Sequence, residues 1–210
     1  MTIKCLAFDL DGTLLLDESK RMDPRTVDSI QRAMAQGMHV VIASGRDKNG
    51  CKFVYEPLGL ENGNHFLALV NGQVVYDFEN KEYDLDDVLT AEDGVKIQKV
   101  CKQFGVEGIF QCGYDFYSYI SSLNRVKKKV KNAILGEPDD YGLKDGKENR
   151  NFIDLPFEEI RLTQDINKVI MVHSPRFFEK NFEGIKAALS DYDVLLIGPD
   201  WLEIMPKHVN

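Results

Sequence analysis

The stretch Ile3-Lys4-Cys5-Leu6-Ala7-Phe8-Asp9-Leu10-Asp11-Gly12-Thr13-Leu14-Leu15 constrains this chain more than any other. An apolar run of that kind predicts a strand buried on both faces, as in a parallel sheet. The run stops at two carboxylates one residue apart, followed by a glycine able to make a sharp turn. Side chains alternate along a strand, so Asp9 and Asp11 are expected to point the same way. Two like charges side by side repel, and folding gains nothing from them. A divalent cation relieves that repulsion, because hard cations take carboxylate and carbonyl oxygens. Surface turns also use Asp-x-Asp-Gly, but the apolar residues in front and Thr13-Leu14-Leu15 behind argue against that reading.

Downstream, Asp17 to Arg21 reads as a charged turn. Asp23-Pro24 then opens a helix, with Asp as the cap and Pro at the first helical position. Val27, Ile30 and Met34 recur at helical spacing, and Gly37 ends the helix. Met38 to Ala43 is a second apolar strand, which makes a right-handed βαβ unit. Ligands of such sheets bind at the carboxyl ends of the strands. Ser44-Gly45-Arg46 is therefore expected beside Asp9 and Asp11. Ser44 can donate to a phosphate oxygen, and Gly45 lets backbone N–H groups approach it. Arg46 carries a planar fork that suits phosphate and equally suits an acidic neighbour. A plain strand-to-helix turn is the blander reading of these three residues, and the Asp-x-Asp strand beside them weighs against it. Phe66 to Val70 is a third short strand. Asn71-Gly72 before Val74-Val75 has the composition of a type I′ hairpin turn.

From about Asn80 charged helices alternate with strands. Thr90 and Asp93 form a capping pair, Ile97, Val100, Cys101 and Phe104 an apolar stripe, and Gly105 the stop. Ile109 to Ile120 alternates and is rich in aromatics, which suits one or two strands. Tyr114, Phe116, Tyr117 and Tyr119 read as sheet packing rather than a base-stacking platform. Arg125-Val126-Lys127-Lys128-Lys129-Val130-Lys131 is the basic cluster. Val126, Val130 and Ala133 share a helical face, so a solvated amphipathic helix is preferred over a nucleic-acid patch. Gly136 to Arg150 reads as a loop with a solvated Asp139-Asp140 pair. Lys168 to His173 is a strand, Ser174-Pro175 caps a helix with Phe178, Phe182, Ile185 and Leu189 on one face, and Val194 to Ile197 and Trp201 to Met205 are strands. His173 is read as structural, since no second His or Cys sits at metal-binding spacing.

Composition narrows the classes. With 210 residues and 43% hydrophobic content the chain can bury a sizeable core. No apolar run approaches the roughly 20 residues of a membrane span, and the N-terminus has no signal-peptide pattern. A net charge of −8 disfavours nonspecific nucleic-acid binding and leaves any phosphate site to be built locally. Cys5, Cys51, Cys101 and Cys112 form no C-x-x-C pair and are expected to be reduced, mostly buried thiols of a cytoplasmic protein.

Asp9-Leu10-Asp11-Gly12-Thr13-Leu14 resembles the first motif of the haloacid dehalogenase-like (HAD) phosphohydrolases, and the remainder of the chain is similar to their Cof-type branch. The resemblance implies an α/β fold: a Rossmannoid parallel sheet with an inserted α/β cap. The implied division is a core over 1–79, a cap over 80–206, and a return to the core at 207–210. It implies that Asp9 attacks phosphorus to form an aspartyl phosphate and that Asp11 is the acid/base. Mg²⁺ would be held by Asp9 and the backbone carbonyl of Asp11. Ser44 matches the second motif, and Asn71 falls where Cof-type relatives carry an Asn near the phosphate. The expected partner is a small phosphorylated metabolite, with no nucleic acid and no membrane.

The pattern breaks near Asn210, where family members continue with a catalytic lysine and a Gly-Asp-x-x-x-Asp-type motif that this sequence lacks. Lys207 falls too early to match that lysine. The resemblance then implies a core sheet missing its C-terminal part and an apolar edge at Ile3 to Leu10, open to self-association. This edge is expected to be covered by the cap, another chain or rearranged local elements, unless the sequence is a fragment of a longer protein. Two functions are compatible with it: a HAD-type phosphatase, or a catalytically inactive relative that binds phosphate or a partner.

Overall fold

Cys5–Asp9 forms strand β1, and α1 (Pro24–Ala35) returns the chain to β2 (His39–Ala43), parallel to β1. The computed structural model describes residues 3–15, 21–85, 87–136, 141, 151–155, 157 and 162–207. The charged turn over 17–20, most of the loop over 136–150 with Asp139-Asp140, and the return to the core beyond 207 lie outside them. The Asp23 carboxylate caps α1 by accepting from the Arg25 N–H at 2.8 Å, Pro24 occupies the first turn, and Ile30 is buried. A short helix α2 (Lys52–Leu58) leads to β3 (Phe66–Leu69), parallel to β2. Strands β4 (Val74–Asp77) and β5 (Glu82–Leu85) extend the sheet antiparallel, in the order β1-β2-β3-β4-β5.

The fold class matches the expectation, but β1 is not buried on both faces. It is an edge strand whose Cys5, Ala7 and Asp9 are exposed and whose Leu6 and Phe8 are half-buried. Leu6 and Phe8 face a groove shared with Asp23, Arg25, Thr26, Ser29 and Ile30 of α1 and its cap. A run of apolar residues specifies a strand; burial depends on what lies beside it. Among the described residues no rearranged local element covers this edge.

The first unit ends at Asp87 and the second begins at Val88. The expected break after residue 79 therefore falls later, because β5 pairs with β4 and the Tyr76 and Tyr83 rings lie 4.7 Å apart.

The second unit contains α3 (Ala91–Phe104), β6 (Glu107–Cys112), β7 (Asp115–Tyr119), α4 (Ser122–Leu135), β8 (Asn151–Leu155), β9 (Lys168–Val172), α5 (Pro175–Ala188), β10 (Asp193–Gly198) and β11 (Trp201–Met205). Its sheet runs β10-β11-β9-β6-β7-β8. Ile97, Val100 and Cys101 of α3 and Phe178 and Ile185 of α5 bury against Phe110, Val169, Met171, Leu202 and Ile204. The aromatic run packs as expected: Phe116 and Tyr119 are buried, and the Tyr119 hydroxyl donates to the Phe157 carbonyl. His173 is structural in this structure, stacked on Phe177 at 3.9 Å. Ser174 leads into α5 without a side-chain cap bond.

The basic cluster does form a helix, but α4 is turned so that its polar side faces the sheet. Lys128 Nζ reaches the Glu107 carboxylate at 2.8 Å, and Arg125 Nε lies 3.7 Å from Asp154. Val126 and Val130 are left 60% and 55% exposed. Glu107 also accepts from Ser118 at 2.6 Å and from Tyr141 at 2.6 Å. A buried carboxylate without partners costs several kcal/mol. Two exposed valines forgo about 1.5–3 kcal/mol each, so satisfying Glu107 competes with burying the stripe.

The expected capping box is present: Thr90 N donates to Asp93 Oδ2 at 2.9 Å and Asp93 N to Thr90 Oγ1 at 3.2 Å. Burial pushes the Asp93 carboxyl up, but the Tyr192 and Thr90 hydroxyls and the Lys96 ammonium outweigh it and bring it down to about 2. A depressed carboxylate adds stability above its unfolded value, lost as pH falls from there through about 2. Asp93→Asn is therefore expected to cost about 2 kcal/mol at pH 7, with the difference from wild type shrinking between pH 4 and pH 2; urea unfolding across that range measures it. The cysteines make a second test, because Cys5 is exposed while Cys51, Cys101 and Cys112 are buried. Burial pushes the Cys51 and Cys112 thiols up to about 12 and Cys101 higher still. A thiol reagent at pH 8 should modify one cysteine quickly in the folded chain, and Cys5→Ser should abolish that phase.

Candidate active site

The parallel register levels three strand ends. Asp9 pairs with Ala43, and Ala43 with Ala68, so these residues form one row across β1, β2 and β3. The loops that leave this row emerge on the same side of the sheet. After β1 comes Leu10 to Leu15, after β2 Ser44 to Arg46, and after β3 Val70 to Gly72. The Ser44 N–H continues the ladder by donating to the Ala68 carbonyl at 2.8 Å.

The loop after β1 stands on three leucines. Leu10, Leu14 and Leu15 are 0%, 8% and 4% exposed, while Asp11, Gly12 and Thr13 face solvent. Gly12 has φ +84°, a conformation that lets the chain reverse and the Leu15 N–H reach the Leu10 carbonyl at 2.9 Å. The regular strand stops at Asp9, so the two carboxylates are not presented by strand alternation. Asp9 Oδ2 accepts from the Thr13 hydroxyl at 3.1 Å. Asp11 is gripped by the Arg46 fork, with Nε to Oδ2 at 3.0 Å and Nη2 to Oδ1 at 2.9 Å. Of the two partners that the sequence leaves open for Arg46, the acidic neighbour is the one it meets in this structure.

Ser44 is 7% exposed, and its Oγ accepts from the Arg46 N–H at 3.2 Å. Gly45 is exposed between them. Asn71 is half-buried, and its N–H donates to the Ser44 carbonyl at 3.3 Å, which joins the third loop to the second. The Asn71-Gly72 turn has φ +58° and +91° and closes through a bond of 3.3 Å from the Gln73 N–H to the Val70 carbonyl. These are the left-handed values of a type I′ turn. The turn begins one residue earlier than the motif suggests, because Val70 is left-handed too, at φ +50°. A branched residue there costs about 1–2 kcal/mol.

Thus the six sequence candidates come together: Asp9 at the end of β1, and Asp11, Ser44, Gly45, Arg46 and Asn71 in the three adjoining loops. Three of their neighbours escape sequence reasoning. Buried Asp47 accepts from the Gly50 N–H at 2.8 Å and fixes the exit of the second loop; its Asp-x-x-Gly spacing is the available signal. Cys51 is fully buried against Ser44, whose hydrogen bond and the nearby Arg46 charge pull the thiol down without offsetting burial. Val70 gives no signal, because handedness at a valine is not written in its identity.

The donor set suits a small hard cation. Mg²⁺ is commonly held by one or two carboxylates with water and substrate phosphate completing the shell. Asp9 and Asp11 supply carboxylate and carbonyl oxygens at the loop rim. Among the described residues no group of three or more His, Cys, Asp or Glu converges, at this rim or elsewhere, so two aspartates are the protein's acidic contribution here.

Comparison with known proteins agrees with this architecture. A provisionally named phosphatase of Streptococcus pyogenes serotype M6 is 28% identical over 219 residues, an alignment covering 100% of this chain and 72% of that protein. The 5-amino-6-(5-phospho-D-ribitylamino)uracil phosphatase of Bacillus subtilis is 39% identical over 75 residues, 36% of this chain and 28% of that enzyme. The crystal structure of a haloacid dehalogenase-like hydrolase from Bacteroides thetaiotaomicron superposes with a TM-score of 0.73 at 21% identity, covering 100% of this chain and 73% of that one. The sequence profile of the haloacid dehalogenase-like hydrolases matches residues 6–210, and the chain belongs to that family.

Proposed function

We propose that the protein is a Mg²⁺-dependent phosphatase acting on a small phosphorylated metabolite through an aspartyl-phosphate intermediate. The observation that carries this reading is the meeting of three loops at one row, with the Asp9-x-Asp11 loop linked to the Ser44-Gly45-Arg46 loop by a two-pronged ion pair. The phosphatase names of the Streptococcus and Bacillus relatives support it, and the latter name points toward a phosphorylated sugar-like ester.

In this scheme a carboxylate oxygen of Asp9 attacks phosphorus, an O–P bond forms, and the bond to the leaving oxygen breaks. The Thr13 hydroxyl, donating to Asp9 Oδ2, orients the nucleophile. Asp11 gives a proton to the leaving oxygen, then takes one from the water that attacks the aspartyl phosphate. Ser44, with Asn71 in support, donates to the phosphoryl oxygens, an electrostatic contribution aimed at charge that grows in the transition state. Arg46 turns its fork from Asp11 to the phosphate. Bound Mg²⁺, on the Asp9 carboxylate and the Asp11 carbonyl, would offset charge between nucleophile and phosphate.

The second unit then serves as the cap that selects the ester. The bare edge of β1 serves as the contact for self-association, read by sedimentation.

Hydrolysis of an aryl phosphate with and without Mg²⁺ tests the reading. Turnover is expected in the presence of Mg²⁺, and Asp9→Asn, which keeps the size of the side chain but lacks the nucleophile, should lose essentially all of it. Phosphate binding by folded wild-type protein without any turnover would replace this function with that of an inactive phosphate-binding relative.

A further inference from the structure

Three consecutive residues after β3 are left-handed: Val70, Asn71 and Gly72. Asn and Gly tolerate this conformation, and Val does not. Yet Val70 is 4% exposed, sharing a core cluster with Leu10, Leu14 and Leu69. Its N–H donates to the Arg46 carbonyl at 3.0 Å, and the next N–H, of Asn71, donates to the Ser44 carbonyl at 3.3 Å. Two successive amides of one strained turn therefore hold the two residues whose side chains flank Gly45.

We propose that Val70 is a positioning residue for phosphate binding, its buried side chain pinning the left-handed turn that clamps the Ser44–Arg46 loop. The proposal rests on the phosphatase reading of this site. An extended conformation at residue 70 would turn the next peptide plane and swing the Asn71 amide off the Ser44 carbonyl. The chain cannot relax that way without drawing a branched side chain out of the core. Local strain is thus held by packing, and its product is a loop fixed before phosphate arrives. That arrangement fits strain concentrated at a binding site and over-determined by its surroundings.

Titration calorimetry with inorganic phosphate in Mg²⁺ buffer tests this on the full chain. Val70→Gly removes the anchor and frees the backbone; it is expected to raise the phosphate Kd about tenfold, equivalent to about 1.4 kcal/mol. Val70→Ala, which keeps the Cβ, should raise it about threefold and covers the case in which the glycine variant does not fold. Leu60→Ala is the control, a fully buried residue of the same unit outside the three loops. It should lower the thermal midpoint and leave Kd within about twofold of wild type. Unchanged affinity in the Val70 variants would overturn the clamp, as would an equal loss in Leu60→Ala. Folded wild-type protein that binds no phosphate would overturn the underlying reading of the site, and the clamp with it.

Discussion

The register between β1, β2 and β3 is the constraint on which the rest of the first unit depends. Parallel strands in line deliver their loops to one side, and with Asp9, Ala43 and Ala68 in a row the three loops start within one residue of level. A shift of one residue in β1 would turn every side chain to the opposite face. It would turn Leu6 and Phe8 away from the groove they share with α1 and start the Leu10–Leu15 loop one residue out of line. The burial of Leu10, Leu14 and Leu15 therefore fixes the same register that brings Asp11 within reach of Arg46. Packing and chemistry are set by one alignment.

Those parts of the fold that depend on neighbours in sequence were legible. Asp23-Pro24 and Thr90/Asp93 are caps because a side-chain oxygen two or three residues ahead of an orphan N–H can reach it in one geometry. The apolar stripes of α3 and α5 bury as their spacing predicts. The parts that depend on neighbours in space were not. Residues 3–10 specify a strand but not whether anything lies beside it. Lys128 has no sign of its partner Glu107, which is 21 residues away. The periodicity of α4 defines two faces and does not say which one turns inward; a buried carboxylate on the sheet decides that.

The site shows the same division. Asp9, Asp11 and Ser44 could be named because a strand ending in a turn puts its last residues at the sheet's carboxyl end. Asp47 and Cys51, which brace the second loop from beneath, could not be. Val70 is the sharpest case, since local preference argues against its observed conformation. Sequences are expected to agree with their folds at every level except where function intervenes, so a disfavoured residue at the junction of two loops is itself informative.

Under the proposed mechanism the Arg46–Asp11 pair looks at first like an obstacle, because it occupies both the group assigned there to phosphate and the group assigned to the leaving oxygen. Magnitudes resolve this. The arginine side chain is 33% exposed and the aspartate 59%. Pairs this accessible contribute about 0–1 kcal/mol, since water screens the attraction and holding both side chains costs entropy. A phosphate ester carries more charge than one carboxylate and, in the proposed mechanism, presents oxygens to the Ser44 and Asn71 side chains as well. Hydrogen bonds to charged groups contribute roughly 1.5–3 kcal/mol each, so two or three of them exceed what the parked pair supplies. Exchange of the fork from Asp11 to phosphate is downhill on these figures, and it frees the Asp11 carboxylate to take up the proton that the proposed mechanism has it pass to the leaving oxygen. In a chain of net charge −8, a guanidinium held ready by a weak local partner is a means of keeping one cation at the site without long-range attraction.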